Sequence, residues 1–200
     1  GKSTFLKLLV GQLTPDKGKV NKISFSYKPQ YLQANNKTVE EFLSKEAGSD
    51  FSSGWYKTNI LHKLNIQDIL PNRVNTLSGG ELQKVMVAAA LSSDAKILIL
   101  DEPSAFIDVE DRLVIAEVIR DFITRKEICA IVVDHDIQFI DYLADSIIVF
   151  DGKPGREGHA LGISPKESGM NQVLKILDIT YRLDHTTKRP RINKSGSQLD

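Results

Sequence analysis

Short apolar runs alternate with segments of helical periodicity along this chain. Apolar positions recur every three or four residues in several segments, which predicts amphipathic helices over 2–13, 38–47, 56–64, 80–91, 110–126 and 137–144. Continuous apolar runs of strand length predict strands over 23–27, 97–100, 128–133 and 146–150. From residue 97 to residue 150 the order is strand–helix–strand–helix–strand, which predicts a parallel sheet flanked by helices.

The composition changes after Gly152. Residues 153–166 are rich in Gly and Pro and predict a loop, and apolar positions between 170 and 177 predict a helix. Apolar and polar residues then alternate over 177–183, which predicts a strand. We therefore divide the chain into a domain over 1–152, with a small helical subdomain at about 36–76, and a C-terminal hinge or tail over 153–200.

Bulk composition indicates little more than that the chain is a globular domain able to bury a core of its own. The 200 residues carry 26 basic and 26 acidic side chains, so net charge gives no argument for nucleic-acid or membrane attraction. No apolar stretch approaches the roughly 20 residues of a membrane-spanning helix. The single cysteine, Cys129, stands in an apolar run and is predicted to be a small buried hydrophobe rather than a reactive thiol. The absence of a disulfide framework fits a reducing compartment.

The first four residues, Gly1-Lys2-Ser3-Thr4, match the end of a phosphate-binding loop of the form G-x-x-x-x-G-K-[ST]. At the start of a helix, backbone N–H groups would face the phosphates, Lys2 would reach the β- and γ-phosphates, and Ser3 would place its hydroxyl on Mg²⁺. A helix cap or a chance match is the competing interpretation. The rest of the loop is absent, so we expect a chain truncated through its own ATP site that binds ATP weakly alone.

Two carboxylates follow the predicted strand at 97–100. An Asp at the carboxyl end of a buried strand faces the crevice where open α/β sheets bind ligands, so Asp101 is a candidate Mg²⁺ ligand. Glu102 is then placed to polarise an attacking water as general base. The alternative is a strand that ends in solvated acids before the turn residue Pro103.

A second anion site is predicted at Leu77-Ser78-Gly79-Gly80-Glu81, where two glycines precede a helix. Glycines permit close backbone approach to a phosphate, and the helix offers the positive end of its dipole. The same residues also form a helix-capping sequence, with Ser at the N-cap and Glu three residues later. Both interpretations can hold together.

This LSGGE sequence, lying between GKST and ILDEP, resembles the signature of the ATP-binding cassette superfamily, and the resemblance covers nearly all of 1–151. It implies an ABC-type P-loop NTPase: an α/β fold with a parallel sheet core, a small helical subdomain and a C-terminal hinge of helix plus strand. It also implies that Gln30 senses Mg²⁺ and the attacking water, and that His135 contacts the γ-phosphate. Asp108 matches the Asp in the loop after the general base.

Two cassettes of this superfamily pair head to tail, so each ATP is held by one cassette and closed over by the signature of the other. The resemblance therefore implies catalytic roles for Glu102, His135 and Gln30, and Mg²⁺ ligation by Ser3, Gln30 and Asp101. Residues implied to bind this cassette's own nucleotide are Gly1, Lys2, Ser3, Thr4, Gln30, Asp101 and His135. Residues implied to act on the partner's nucleotide are Leu77, Ser78, Gly79, Gly80, Glu81 and Asp108.

Within the superfamily, the Asp-Glu-Pro-Ser-Ala-Phe-Ile-Asp loop and the segment from 169 to 194 are similar to class E, the RNase L inhibitor or ribosome-recycling ATPases, and to their second, C-terminal cassette. The chain departs from the usual class pattern at a few positions, none of them a reacting group: Lys84, Phe106, Ile107 and Asp134.

Class E membership implies ATP-driven closure of paired cassettes that splits ribosomes into subunits, without a membrane. The implied location is the cytoplasm, and the nucleus is a further candidate location. The implied partners are a first cassette in the same full-length chain, the small ribosomal subunit and termination or initiation factors. Iron–sulfur clusters are expected only in a missing N-terminal region. The basic end over 188–194 is expected to pack between cassettes; ribosomal RNA contact and a solvated terminus are the alternatives. An ATPase subunit of an ABC membrane transporter and a binding module without hydrolysis are the competing functions.

Overall fold

A computed structural model describes residues 1–20, 24–28, 36–153 and 156–176, together with the backbone of two strands at 179–183 and 190–194. The chain divides into two compact units: one is Ser3–Leu143, and the other combines Gly1–Lys2 with Ala144–Asp200. None of the helices in the described ranges has both the length and the apolar character needed to cross a bilayer. The division predicted at Gly152 stays a prediction.

The larger unit contains a parallel three-stranded sheet of β1 (Phe25–Lys28), β2 (Ile97–Asp101) and β3 (Cys129–Val133), in that order. The predicted parallel core is confirmed for these strands. The strand predicted over 128–133 forms as β3, but the burial expected from its apolar run is wrong, because β3 lies at the edge of the described sheet and is half-buried. Cys129 at its start is exposed, which contradicts the burial predicted for this thiol.

Helices form close to the predicted positions. They are Lys2–Leu9 (α1), Val39–Ala47 (α2), Gly54–Tyr56 (α3), Gly79–Leu91 (α4), Val109–Lys126 (α5) and Ile137–Leu143 (α6). α1 is shorter than predicted, because the chain turns at Gly11 with a φ of 74° that glycine adopts without strain. α3 continues into a π-helical turn over Lys57–His62.

One hydrophobic cluster joins the sheet to the helices of the larger unit. Leu98 and Leu100 of β2 are nearly inaccessible and share this cluster with the buried faces of α4 and α5. Val39 and Leu43 of α2 belong to the same cluster, so the predicted helical subdomain shares a continuous core with the sheet. Burying each such side chain contributes about 1.5–3 kcal/mol, which fixes β2 and α4 relative to each other.

The smaller unit contains two antiparallel strand pairs and one helix. β4 (Ser146–Asp151) pairs with β5 (His159–Pro165), and α7 (Lys166–Ile176) follows. The prediction that 146–150 joins the parallel sheet is therefore wrong in the described structure, and so is the loop predicted over 153–166. The Gly- and Pro-rich composition concealed β5, because strand formation here depends on pairing with β4 rather than on the composition of 159–165 alone.

The end of the chain forms a second antiparallel pair, β6 (Ile179–Leu183) with β7 (Pro190–Lys194). The strand predicted over 177–183 is confirmed, and the predicted hinge of helix plus strand corresponds to α7 followed by β6. The basic end supplies β7, whose Pro190 stands opposite Leu183.

Candidate active site

The predicted acidic pair lies at the carboxyl end of β2, the central strand of the described sheet. Asp101 is the last residue of β2 and is 3% exposed. The amide of Glu102 donates a hydrogen bond of 2.7 Å to the carbonyl of Val133 on β3. The backbone of Glu102 then takes a φ of 49°, in the left-handed region that non-glycine residues seldom adopt.

His135 meets Glu102 across the ends of β2 and β3. Its Nε2 lies 3.0 Å from Oε1 of Glu102, and the histidine side chain is 68% exposed against 21% for the glutamate. Parallel strands bring their carboxyl ends to the same edge, which explains how residues 33 positions apart meet (135 minus 102). The pair predicted from separate motifs is therefore brought together at one edge of the sheet.

Asp134 holds the two loops that flank this pair. Its Oδ2 accepts the amide of Ser104 at 3.0 Å, and its Oδ1 accepts the Ser104 hydroxyl at 2.7 Å. Oδ1 also accepts the amides of His135 at 2.7 Å and of Asp136 at 3.0 Å. A buried carboxylate with four donors joins the turn after Glu102 to the turn that carries His135. Sequence reasoning noted Asp134 only as a departure from the family pattern.

Two further buried polar residues reach this turn, and the sequence analysis missed both. Lys28 at the end of β1 donates from Nζ to the carbonyl of Asp101 at 2.9 Å. Gln83 on α4 donates from Nε2 to the carbonyl of Glu102 at 2.6 Å. A signal for Gln83 existed: it lies on the same helical face as Val87 and Ala90, both buried, so a polar residue occupied a core position.

The signature serine caps α4. Ser78 accepts a hydrogen bond at Oγ from the amide of Glu81 at 3.3 Å, and its own amide donates to the Glu81 carboxylate at 2.8 Å. The Ser78 hydroxyl also donates to that carboxylate at 2.7 Å. The predicted capping box is confirmed. Hydrogen bonds from the Ser78 hydroxyl and amide lower the pKa of the Glu81 carboxyl, so it is an anion beside the signature turn.

The signature turn packs against the loop that follows Glu102. A Cβ on Gly80 would stand 3.0 Å from the carbonyl oxygen of Phe106, and one on Gly79 would stand 3.5 Å from the Cβ of Phe106. Phe106 itself has a φ of 61° and is 79% exposed. Asp108, predicted to act on a partner's nucleotide, lies exposed at the N-cap of α5 and makes no side-chain capping hydrogen bond there. Two motifs predicted separately therefore form one surface.

The end of the predicted phosphate loop begins α1. Lys2 is the first helical residue, and Ser3 and Thr4 lie exposed in the first turn, where backbone N–H groups lack helical partners. Gln30 lies outside the described residues. Hydroxyl and carboxylate oxygens are what Mg²⁺ prefers, and Mg²⁺ needs only one or two protein ligands beside phosphate oxygens. Ser3 and Asp101 thus carry oxygens of the type that the predicted ion prefers.

Comparison with known proteins decides the family. The ABC transporter family profile matches residues 1–105, slightly more than half of the chain. The chain belongs to the ABC transporter family. The predicted ABC-type ATPase domain is thereby confirmed at the level of the family, as is the α/β P-loop fold.

The relatives of this ABC chain include translation factors. It is 50% identical over its whole length to an uncharacterized ABC transporter ATP-binding protein of Methanocaldococcus jannaschii, covering 34% of that protein. It is 41% identical, again over its whole length, to the translation initiation factor RLI1 of Saccharomyces cerevisiae, covering 33% of it. The chain thus spans about a third of the length of these relatives.

Solved structures agree with the sequence relatives. The ABC chain superimposes with a TM-score of 0.93 on the archaeal ribosome recycling factor aABCE1 in its complex with the ribosomal stalk protein aP1. The two are 47% identical, and the match covers 100% of this chain and 39% of the other. The resemblance to class E predicted from the sequence is confirmed.

Proposed function

We propose that this ABC chain hydrolyses ATP with Glu102 as the general base and His135 as its neighbour at the γ-phosphate. The observation that carries the proposal is the 3.0 Å approach of His135 Nε2 to Glu102 Oε1 at the carboxyl edge of the parallel sheet. A carboxylate beside an imidazole can accept a proton from water while the imidazole donates to a phosphate oxygen.

Nucleotide binding is assigned to the first turn of α1 and the end of β2. Lys2 and the backbone N–H groups of α1 would neutralise phosphate charge, as helix N-termini do. Ser3 and Asp101 would hold Mg²⁺ together with Gln30. Bound Mg²⁺ would supply electrostatic stabilisation of the transferred phosphoryl group.

We assign the signature turn to contact with the nucleotide that a partner cassette holds. Ser78, Gly79 and Gly80 present a hydroxyl and backbone N–H groups at the start of α4, and Asp108 lies exposed on the adjoining loop. We assign the partner role to another cassette of the same full-length protein, arranged head to tail, with ATP binding closing the pair and hydrolysis reopening it.

We propose that this cycle of closing and reopening splits ribosomes into subunits. The support for this proposal is the full-length coverage of the chain by a translation initiation factor and by a ribosome recycling factor. The small ribosomal subunit and termination or initiation factors are then the partners, and the basic segment at 188–194 packs between cassettes or contacts ribosomal RNA. The membrane-transporter alternative is less well supported, because these translation proteins match every part of the chain, including the end that follows the cassette.

The test is a substitution that keeps ATP binding and removes the base. Glu102→Gln in the full-length protein should hydrolyse ATP at least about 10²-fold more slowly. It should also co-sediment with small ribosomal subunits in the presence of ATP, trapped in the closed form. Glu46→Gln, an exposed change on α2, is the matched control and should behave as the unmodified protein. Slow hydrolysis without trapping would count against ribosome recycling, and unchanged hydrolysis would count against Glu102 as the base.

A further inference from the structure

The backbone at Glu102 needs support from its surroundings. Its φ of 49° places a residue with a Cβ in the left-handed region, and such a conformation persists only where neighbouring groups over-determine it. The amide side is fixed by the 2.7 Å hydrogen bond to Val133. The direction of the Glu102 carboxylate depends equally on the groups that hold the backbone carbonyl of Glu102.

Three donors from different parts of the larger unit converge on the carbonyl oxygen of Glu102. Gln83 Nε2 donates at 2.6 Å, the amide of Ala105 donates at 3.3 Å, and Lys28 Nζ approaches at 3.5 Å. Ala105 acts from within the turn itself. Gln83 and Lys28 act from outside, one from α4 and the other from β1.

The burial of these two side chains shows that the contacts are built into the core. Gln83 and Lys28 are each 1% exposed, and a buried ammonium or amide is costly unless it is hydrogen-bonded. Lys28 also donates to the Asp101 carbonyl at 2.9 Å, so it spans both residues of the acidic pair. Burial lowers the pKa of Lys28 to about 8, and the charges of Asp101, Asp134 and Glu102 oppose that shift.

We propose that Lys28 and Gln83 are positioning residues that fix the turn at Glu102 and thereby aim its carboxylate for hydrolysis. The inference rests on the proposed role of Glu102 as general base. Neither side chain needs to contact the nucleotide. Their effect is on the geometry of the base, where a displacement of about 1 Å can cost about 10²-fold in rate.

The experiment uses methionine in place of each donor, because Met keeps the length of the side chain and cannot donate a hydrogen bond. In the full-length protein, Gln83→Met and Lys28→Met should each lower kcat for ATP by about 10- to 100-fold, with KM within about twofold. Ser26→Ala is the matched control: it removes a 2.9 Å hydrogen bond from β1 to the Ala90 carbonyl of α4, away from Glu102. Its kcat should not change.

A double-mutant cycle separates positioning from a general structural role. If Gln83 acts through Glu102, then Gln83→Met should cost less than about twofold in single-turnover hydrolysis when Glu102→Gln is already present. An equal loss in both backgrounds would overturn the proposal, as would a Gln83→Met kcat within about twofold of the unmodified protein. Should Lys28→Met fail to fold, the Gln83 cycle decides alone. An unaffected Glu102→Gln would overturn the base assignment and the positioning proposal together, whereas a slow Glu102→Gln with an unaffected Gln83→Met overturns only the latter.

Discussion

The imidazole Nε2 of His135 and the carboxylate Oε1 of Glu102 lie 3.0 Å apart, and this contact joins the loops that follow β2 and β3. The histidine is the outer member of the pair and the glutamate the inner one. A ligand that enters from solvent would thus meet the imidazole first, while the glutamate stays beside the buried Asp101.

Removing the imidazole tests the assigned role of His135. We expect His135→Ala to lower ATP hydrolysis by about 10²-fold, because a donor to the developing phosphate charge is lost. ATP affinity should change little, since the phosphate binding is assigned under our proposal to backbone N–H groups and Lys2 rather than to His135. Steady-state hydrolysis and equilibrium nucleotide titration measure the two effects. His62→Ala, an exposed change, is the control, and a His135→Ala rate within about twofold of the original would contradict the role.

Two matched capping boxes allow the structural role of Ser78 to be separated from its proposed role in closure. Ser78 caps α4 with Glu81, and Thr38 caps α2 with Glu41 in the same arrangement. Replacing either by Ala should lower the free energy of unfolding by about 1 kcal/mol. Only Ser78→Ala should also slow hydrolysis, because only this hydroxyl is assigned to a partner's nucleotide. Equal activities in the two variants would refute that assignment.

The packing of the signature turn predicts a specific steric effect. A methyl group on Gly80 would lie 3.0 Å from the Phe106 carbonyl oxygen, a main-chain atom that cannot rotate away. We expect Gly80→Ala to separate the signature turn from the 104–108 loop and to reduce hydrolysis by at least about tenfold. Gly54→Ala meets no atom within 4 Å and is the control. Activity measurements with both variants check the expectation, which fails if the two behave alike.

The carboxylate of Asp136 predicts a dependence of stability on pH. Burial acts to raise its pKa, but hydrogen bonds from the Phe139 and Gln138 amides and from Arg112 outweigh it and leave the pKa below 3.8. A lowered pKa in the folded state gives stabilisation that is complete above the unfolded pKa and is lost as the pH falls through the folded value.

We therefore expect Asp136→Asn to lower the free energy of unfolding at neutral pH, with a difference that shrinks as the pH falls below about 5. Urea unfolding of the purified protein at a series of pH values measures it. A difference that stays constant or grows on acidification would show that Asp136 does not contribute through its charge.

Local sequence was sufficient for the parts of the site that depend on one element. The start of α4 followed from Ser78, two glycines and Glu81, because a capping box is complete within four residues. The position of Asp101 followed from the apolar run before it. His135 was named only through the family resemblance, and its contact with Glu102 is explained by the shared carboxyl edge of parallel strands once the structure is known.

The remaining features depend on contacts between residues far apart in the sequence. Lys28 reaches the acidic pair only because β1 pairs with β2 in the observed register. The sequence of neither strand alone predicts that register. β5 was hidden because it forms by pairing with β4, which the Gly- and Pro-rich composition of 153–166 does not reveal. The exposure of Cys129 follows from its place on an edge strand of the described sheet, which the apolar character of 128–133 does not reveal.

Three hydrogen bonds that shape the signature turn lie within one turn of one helix, between Ser78 and Glu81. A recognition element that is ordered by its own residues loses little conformational entropy when it meets a partner. Two such cassettes could approach and separate many times without any local refolding. Under the proposed closure, the free energy of ATP binding would then be available for moving whole domains rather than for ordering the surfaces that touch.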